Sequence, residues 1–169
     1  MSNHLFLHEI PSPIGTLTAG VTDKGLALLS FSTNSDLTVP KGLERVTIVY
    51  ESRPEHQELK DQLTAYFEGK LQRFDLPLDL HGTEFQQKVW QALREVPYGS
   101  TRSYKEQATF LGDVKAIRAV ATANGANPIA IVVPCHRIVG SDQSLTGYAG
   151  GLERKQFLLE LESSQQRLF

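Results

Sequence analysis

Apolar and polar positions alternate through the first third of the chain. The stretches "LFLHEI" (5–10), "TLTAGVT" (16–22), "LALLSFS" (26–32) and "RVTIVYE" (45–51) read as strands, with the turn signals "PSPIG" and "DKG" between the first three. An antiparallel meander is the expected arrangement. From residue 54 the apolar period becomes helical. Pro54 opens "PEHQELKDQLTAYFEGK", in which Leu59, Leu63, Tyr66 and Phe67 share a face and Gly69 supplies the stop.

A second block begins near residue 80, which divides the chain into an expected sheet-plus-helix domain over 1–79 and a mostly helical domain over 80–169. Thr83 with Gln86 forms a capping-box signature ahead of "FQQKVWQALREV", whose Phe85, Val89, Trp90 and Leu93 make an apolar stripe. Ser103 with Glu106 repeats the signature before "YKEQATFLG", and "KAIRAVATANG" follows after a short turn at Gly112. Two short helices joined by a tight glycine turn read as helix-turn-helix, the second being the candidate groove reader. The class is α+β.

Composition narrows the function classes. The chain has 169 residues, 40% hydrophobic and 21% charged, which is enough apolar content to exclude a disordered polymer. Its single cysteine can form no internal disulfide and fits a reducing, cytoplasmic compartment. No signal-peptide pattern opens the chain, and no apolar run is long enough for a membrane span.

A net charge of -2 speaks against a polyanion partner, but it is unevenly spread. Residues 1–79 carry 7 Lys+Arg against 11 Asp+Glu, and residues 80–169 carry 10 against 8. No acidic residue falls between Asp113 and Asp142, where Lys115, Arg118 and Arg137 form a local basic set.

On a helical wheel Ala116, Val120 and Ala123 face inward, and Arg118 faces out among Lys115, Ala119, Ala121, Thr122 and Gly125. One long cation on a bed of small residues lets the helix backbone approach a sugar-phosphate wall while the arginine reaches inward. Asn124-Gly125 marks the helix end, and Asn127 before Pro128 turns the chain into an expected strand, "IAIVV".

That run leads to Cys135. A free cysteine is usually an inert buried hydrophobe, but this one follows Pro134 at an expected strand tip. His136 and Arg137 beside it would lower the thiol pKa and enlarge the thiolate fraction. Adjacent residues in extended chain face opposite ways, so a bridging water would carry a proton between Cys135 and His136. A carboxylate to orient the imidazole would come from Glu160 or Glu162.

"NPIAIVVPCHRIVG" (127–140), with "RAV", "GYAGG" and Tyr104, resembles the O6-alkylguanine-DNA alkyltransferase family over about residues 82–162 without a gap. The resemblance implies a ribonuclease H-like first domain and a helix-turn-helix/winged-helix second one. It implies irreversible, single-turnover transfer of a methyl or larger alkyl group from O6 of guanine, or O4 of thymine, to Cys135. The nucleotide would be flipped out through the minor groove.

In that scheme His136 accepts the thiol proton through water, Glu162 orients His136, Tyr104 protonates the departing guanine, and Asn127 braces the turn. Arg118 fills the gap in the duplex, and Lys115, Ala119, Ala121, Thr122 and Arg137 line the DNA face. Main-chain groups of Cys135, Ile138 and Ala149 read the base, and Tyr148 walls the alkyl pocket. Double-stranded DNA carrying O6-alkylguanine is the implied partner, bound by a monomer or cooperatively, and no membrane, cofactor or metal is involved.

Two positions depart from the family pattern: Ala121, where glycine is frequent, and Ala149, where serine also occurs. The cysteines that hold zinc in some members are missing from the first domain, where His4, His8 and His81 make a weak substitute. The competing readings are a damage-recognition protein that transfers nothing, a cysteine hydrolase, and a plain helix-turn-helix regulator.

Overall fold

The computed structural model describes residues 4–32 and 37–167, without side-chain detail beyond 164. The chain divides into two compact units, Met1–Gly82 and Thr83–Phe169.

In the first unit, β1 (His4–Ile10), β2 (Leu17–Thr22) and β3 (Gly25–Ser30) form the expected antiparallel meander. The fourth strand corrects it. β4 (Thr47–Tyr50) pairs parallel to β1, giving the order β3-β2-β1-β4. The reason lies in sequence separation: β4 begins 17 residues after β3 ends, enough chain to re-enter parallel to β1, whereas a tight turn would return it antiparallel.

β2 is buried along its whole length. Leu5, Leu7, Ala27, Leu28 and Leu43 form one core cluster, over which Leu37, Val39 and Val46 pack. Beyond β3, Leu78 bridges to Leu26, and a Cβ on Gly25, whose φ is +140°, would lie 2.4 Å from the Pro77 carbonyl oxygen. Only glycine fits that approach.

α1 (Pro54–Phe67) has proline at its first position and buries His56, Leu59, Leu63 and Tyr66. His56 clips the helix start to the sheet. Its Nδ1 accepts from the Arg53 N–H at 2.9 Å, so Nε2–H donates to the carbonyls of Phe6 at 3.1 Å and Ala19 at 3.2 Å. Burial pushes the His56 pKa down, so the unfolded chain binds the extra proton first. Its contribution to stability is complete above the unfolded value, near pH 6.5, and is lost as the solution is acidified below that. We expect the thermal midpoint to fall between about pH 7 and 5. In His56→Ala the slope should flatten, at a cost of about 2–3 kcal/mol for the lost bonds, measurable by calorimetry across that range.

The second unit contains α2 (Glu84–Arg94), β5 (Arg102–Ser103), α3 (Tyr104–Phe110), α4 (Ile117–Gly125), β6 (Ile138–Val139) and α5 (Leu152–Arg167). Both expected capping boxes form, Thr83 with Gln86 and Ser103 with Glu106. α2 buries Val89, Trp90, Ala92 and Leu93, but Phe85 is exposed, because it lies in the first turn, ahead of the buried stripe. Among the described residues no helix is long and apolar enough to cross a membrane, and no three His, Cys, Asp or Glu side chains converge to hold a metal.

Candidate active site

α3 and α4 are joined through Gly112 and a single 3-10 turn, Val114–Ala116, capped by Asp113. Two buried polar contacts fix α4 in place. Gln107 and Asn124 exchange reciprocal amide hydrogen bonds of 2.9 and 2.8 Å, and Trp90 Nε1 donates to the Ala123 carbonyl at 2.9 Å. In a buried setting such bonds specify geometry because leaving either partner unpaired is costly. The outward face is as the wheel places it: Lys115, Arg118, Ala119, Thr122 and Gly125 are exposed and Ala121 is half-buried.

The segment after α4 differs from expectation. "IAIVV" forms consecutive turns rather than a strand, with Ile131 at φ +70° and Ile129, Ile131 and Val133 buried. Asn127 holds these turns closed. Its Oδ1 accepts from the Ile129 N–H at 3.0 Å and its Nδ2 donates to the Val133 carbonyl at 2.8 Å. The apolar run pairs Val132 N–H with the Ala130 carbonyl and Val133 N–H with the Ile129 carbonyl, and Asn127 takes the Ile129 N–H and the Val133 carbonyl, so it needs no ladder although its pattern reads as a strand.

Cys135–Arg137 is a 3-10 turn leading into β6, and β6 pairs parallel with β5. The parallel register, Arg102 opposite Ile138 and Ser103 opposite Val139, sets the cysteine turn beside the chain that enters β5 and the start of α3, with Tyr104, at the other end of β6. Cys135 as a residue is half-buried.

His136 is fully buried and its Nε2 lies 2.8 Å from Glu162 Oε2. Its Nδ1 has no hydrogen-bond partner. Glu160 is exposed and bonded to Gln156, so Glu162 is the carboxylate that the fold delivers.

Arg137 requires a correction. It is 7% exposed, with Nε 2.8 Å from Glu162 Oε1, Nη2 3.0 Å from Glu162 Oε2 and Nη1 2.8 Å from the Val96 carbonyl. Its charge is spent internally and does not face DNA. His136 and Arg137 together hold the Glu162 carboxyl down to about 2 against its burial.

The expected cationic activation of the thiol is also corrected. Burial pushes the Cys135 thiol up, and the groups that oppose it are the Asn127 side chain and the Lys155 ammonium. Arg137 is neutralised by Glu162, and burial pushes His136 toward its neutral form.

Sequence reasoning missed Lys155. It is fully buried, and its Nζ donates to the carbonyls of Thr146 at 2.6 Å and Gly147 at 3.4 Å. The available signal was spacing: Lys155, Leu158 and Glu162 sit at i, i+3 and i+7 of α5 and are all buried. The same loop meets Tyr104, whose hydroxyl donates to the Thr146 carbonyl at 3.2 Å and accepts from Thr146 Oγ1 at 3.3 Å. Tyr148 is half-buried, its hydroxyl pushed well up by burial and by the neighbouring Cys135. Ala149 is exposed, and Ile138 lies wholly within the core.

A thiol braced by an amide, a buried carboxylate–imidazole pair with one bare ring nitrogen, and the Tyr104 phenol bonded to the loop at Thr146 are the kinds of group that proton transfer at a sulfur requires. Residues 5–80 match the family described as "6-O-methylguanine DNA methyltransferase, ribonuclease-like domain", and residues 84–164 match its "DNA binding domain". A protein of Methanosarcina barkeri named methylated-DNA–protein-cysteine methyltransferase is 49% identical over 166 residues, covering 96% of this chain and all of that one.

The crystal structure of Mycobacterium tuberculosis OGT in complex with DNA is similar at TM-score 0.81 and 46% identity, over 96% of this chain and 94% of that one. The O6-methylguanine methyltransferase of the same organism matches at TM-score 0.79 and 47% identity, over 98% and 94%. With both halves matched in order and one relative aligned over its full length, this chain belongs to the O6-methylguanine DNA methyltransferase family.

Proposed function

We propose that this protein repairs O6-alkylguanine in double-stranded DNA by moving the alkyl group onto Cys135. The observation that carries the reading is the buried pair of His136 and Glu162, 2.8 Å apart, with Nδ1 of the imidazole bare, on the same turn as the chain's only cysteine.

Burial disfavours a standing thiolate, so the sulfur needs a base at the moment of attack. His136 takes the thiol proton through a water as the S–C bond forms and the C–O6 bond breaks. Glu162 orients the ring, Tyr104 gives its proton to the leaving guanine, and Asn127 and Lys155 stabilise the developing thiolate. Tyr148 walls the pocket, and backbone groups of Cys135, Ile138 and Ala149 read the base.

A guanine stacked in a duplex hides O6 from an in-line nucleophile, so the nucleotide is rotated out through the minor groove at a cost of a few kcal/mol. Arg118 fills the vacancy, while Ala119, Ala121 and Thr122 allow close approach and Lys115 meets phosphate. A thioether is a poor leaving group and no second cysteine exists to receive the alkyl group, so each monomer acts once. The reaction draws on no cofactor or metal.

Intact mass spectrometry after mixing with an O6-methylguanine oligonucleotide tests this. We expect a gain of one methyl group on Cys135, absent in Cys135→Ala. Unchanged mass with DNA binding retained would establish recognition without transfer, and repeated turnover without mass gain would establish a hydrolase.

A further inference from the structure

We propose that Arg137 is a positioning residue for the His136–Glu162 pair: its two-pronged grip on Glu162 fixes the imidazole proton on Nε2, leaves Nδ1 as the acceptor and keeps the ring neutral. This deepens the reading of His136 as the base and rests on it.

Geometry sets the tautomer. Glu162 Oε1 receives Arg137 Nε at 2.8 Å, and Oε2 receives both Arg137 Nη2 at 3.0 Å and His136 Nε2 at 2.8 Å. An arginine keeps its proton at any physiological pH, and an ionised carboxylate can only accept. His136 Nε2 must therefore be the donor, and a neutral ring with one N–H leaves Nδ1 bare. Arg137 is itself anchored by Nη1 on the Val96 carbonyl at 2.8 Å and lies 5.7 Å over the Tyr98 ring. The carboxylate cannot swing away from the imidazole without releasing a guanidinium fixed elsewhere.

Charge sets the protonation state. A carboxylate facing a histidine alone would favour the imidazolium. Here Arg137 already balances Glu162, and a proton on His136 would place a second positive charge on the same carboxylate. The groups facing this ring are Glu162 and Lys155 from α5, with Arg137 on its own turn, and the Tyr98 phenol faces Glu162 and Arg137 from the segment after α2. Two of these are cations and one is an anion, so the neutral ring is favoured, in the direction that burial also drives it.

Nitrogen-15 NMR of histidine-labelled protein without DNA tests the inference, with the His136 signal assigned by its loss in His136→Gln. In the unaltered chain we expect the neutral Nε2–H tautomer at about pH 7 and above. In Arg137→Met the His136 titration should move up by about one unit or more, and the second tautomer should appear. The pH profile of methyl transfer should follow, its acid limb moving to higher pH with a loss of about threefold at pH 7.

Arg137→Lys should restore the titration midpoint but not the single tautomer, because it returns the charge without the fork. An Nδ1–H or charged ring in the unaltered chain at pH 7 overturns the proposal, even if Arg137→Met fails to fold. So does a folded Arg137→Met whose His136 keeps its tautomer and midpoint. Because these readouts need no substrate, they are separable from whether the chain transfers methyl groups at all.

Discussion

Glu162→Gln is expected to slow methyl transfer by about two orders of magnitude or more, as loss of an oriented general base does. The amide can turn its NH2 toward His136 and force the proton onto Nδ1, the nitrogen that has to accept. The same change strands Arg137, whose guanidinium sits in the core with Glu162 as its carboxylate partner. Removing one member of a buried pair typically costs about 3–5 kcal/mol.

The unaltered protein should show the corresponding acid sensitivity. Folding holds the Glu162 carboxyl down to about 2, below its unfolded value. Its stabilisation is therefore present above about pH 4.5 and is lost as pH falls toward about 2. Urea titrations from about pH 5 to 2.5 should show this loss, and Glu162→Gln should be weaker at neutral pH with a shallower acid slope. An unchanged single-turnover rate in a folded Glu162→Gln protein would remove the carboxylate from the mechanism.

Arg118→Ala should separate the handling of DNA from the chemistry at sulfur. Arg118 is exposed on α4, away from the His136–Glu162 pair, and its neighbours Ala119 and Thr122 cannot replace its reach. Filling the place of an extruded base offsets part of a cost of a few kcal/mol. Its loss should slow repair of a duplex by roughly 10- to 100-fold, while the rate with free O6-methylguanine base stays within about twofold. Parallel single-turnover assays on the two substrates decide it. Equal losses on both would mean that the side chain acts on the reaction and not on the duplex.

The elements that sequence made legible are those in which local chemistry decides the outcome. Thr83 and Ser103 cap helices because their hydroxyls reach the N–H three residues on, a contact internal to one turn. The small-residue face of α4 follows from period alone. Errors arose where distant partners decide.

β4 pairs parallel to β1 because of a long crossover, which strand pattern does not encode. "IAIVV" stays out of a sheet because its backbone closes on itself in turns, with Asn127 bracing the Val133 carbonyl six residues on. Arg137 reads as a surface cation until Glu162, from a helix 25 residues on, closes over it. Lys155 escaped notice because a buried ammonium is rare enough that lysine is read as solvated by default.

The single tryptophan gives the second unit a reporter of its own. Trp90 is 1% exposed and its indole N–H ends on the Ala123 carbonyl, in the last turn of α4. Any tilt of that helix against α2 must stretch or break this one bond and change the polarity around the ring. Emission wavelength and intensity, followed in a stopped-flow instrument, can therefore report any shift of that helix when DNA is added, with no added dye.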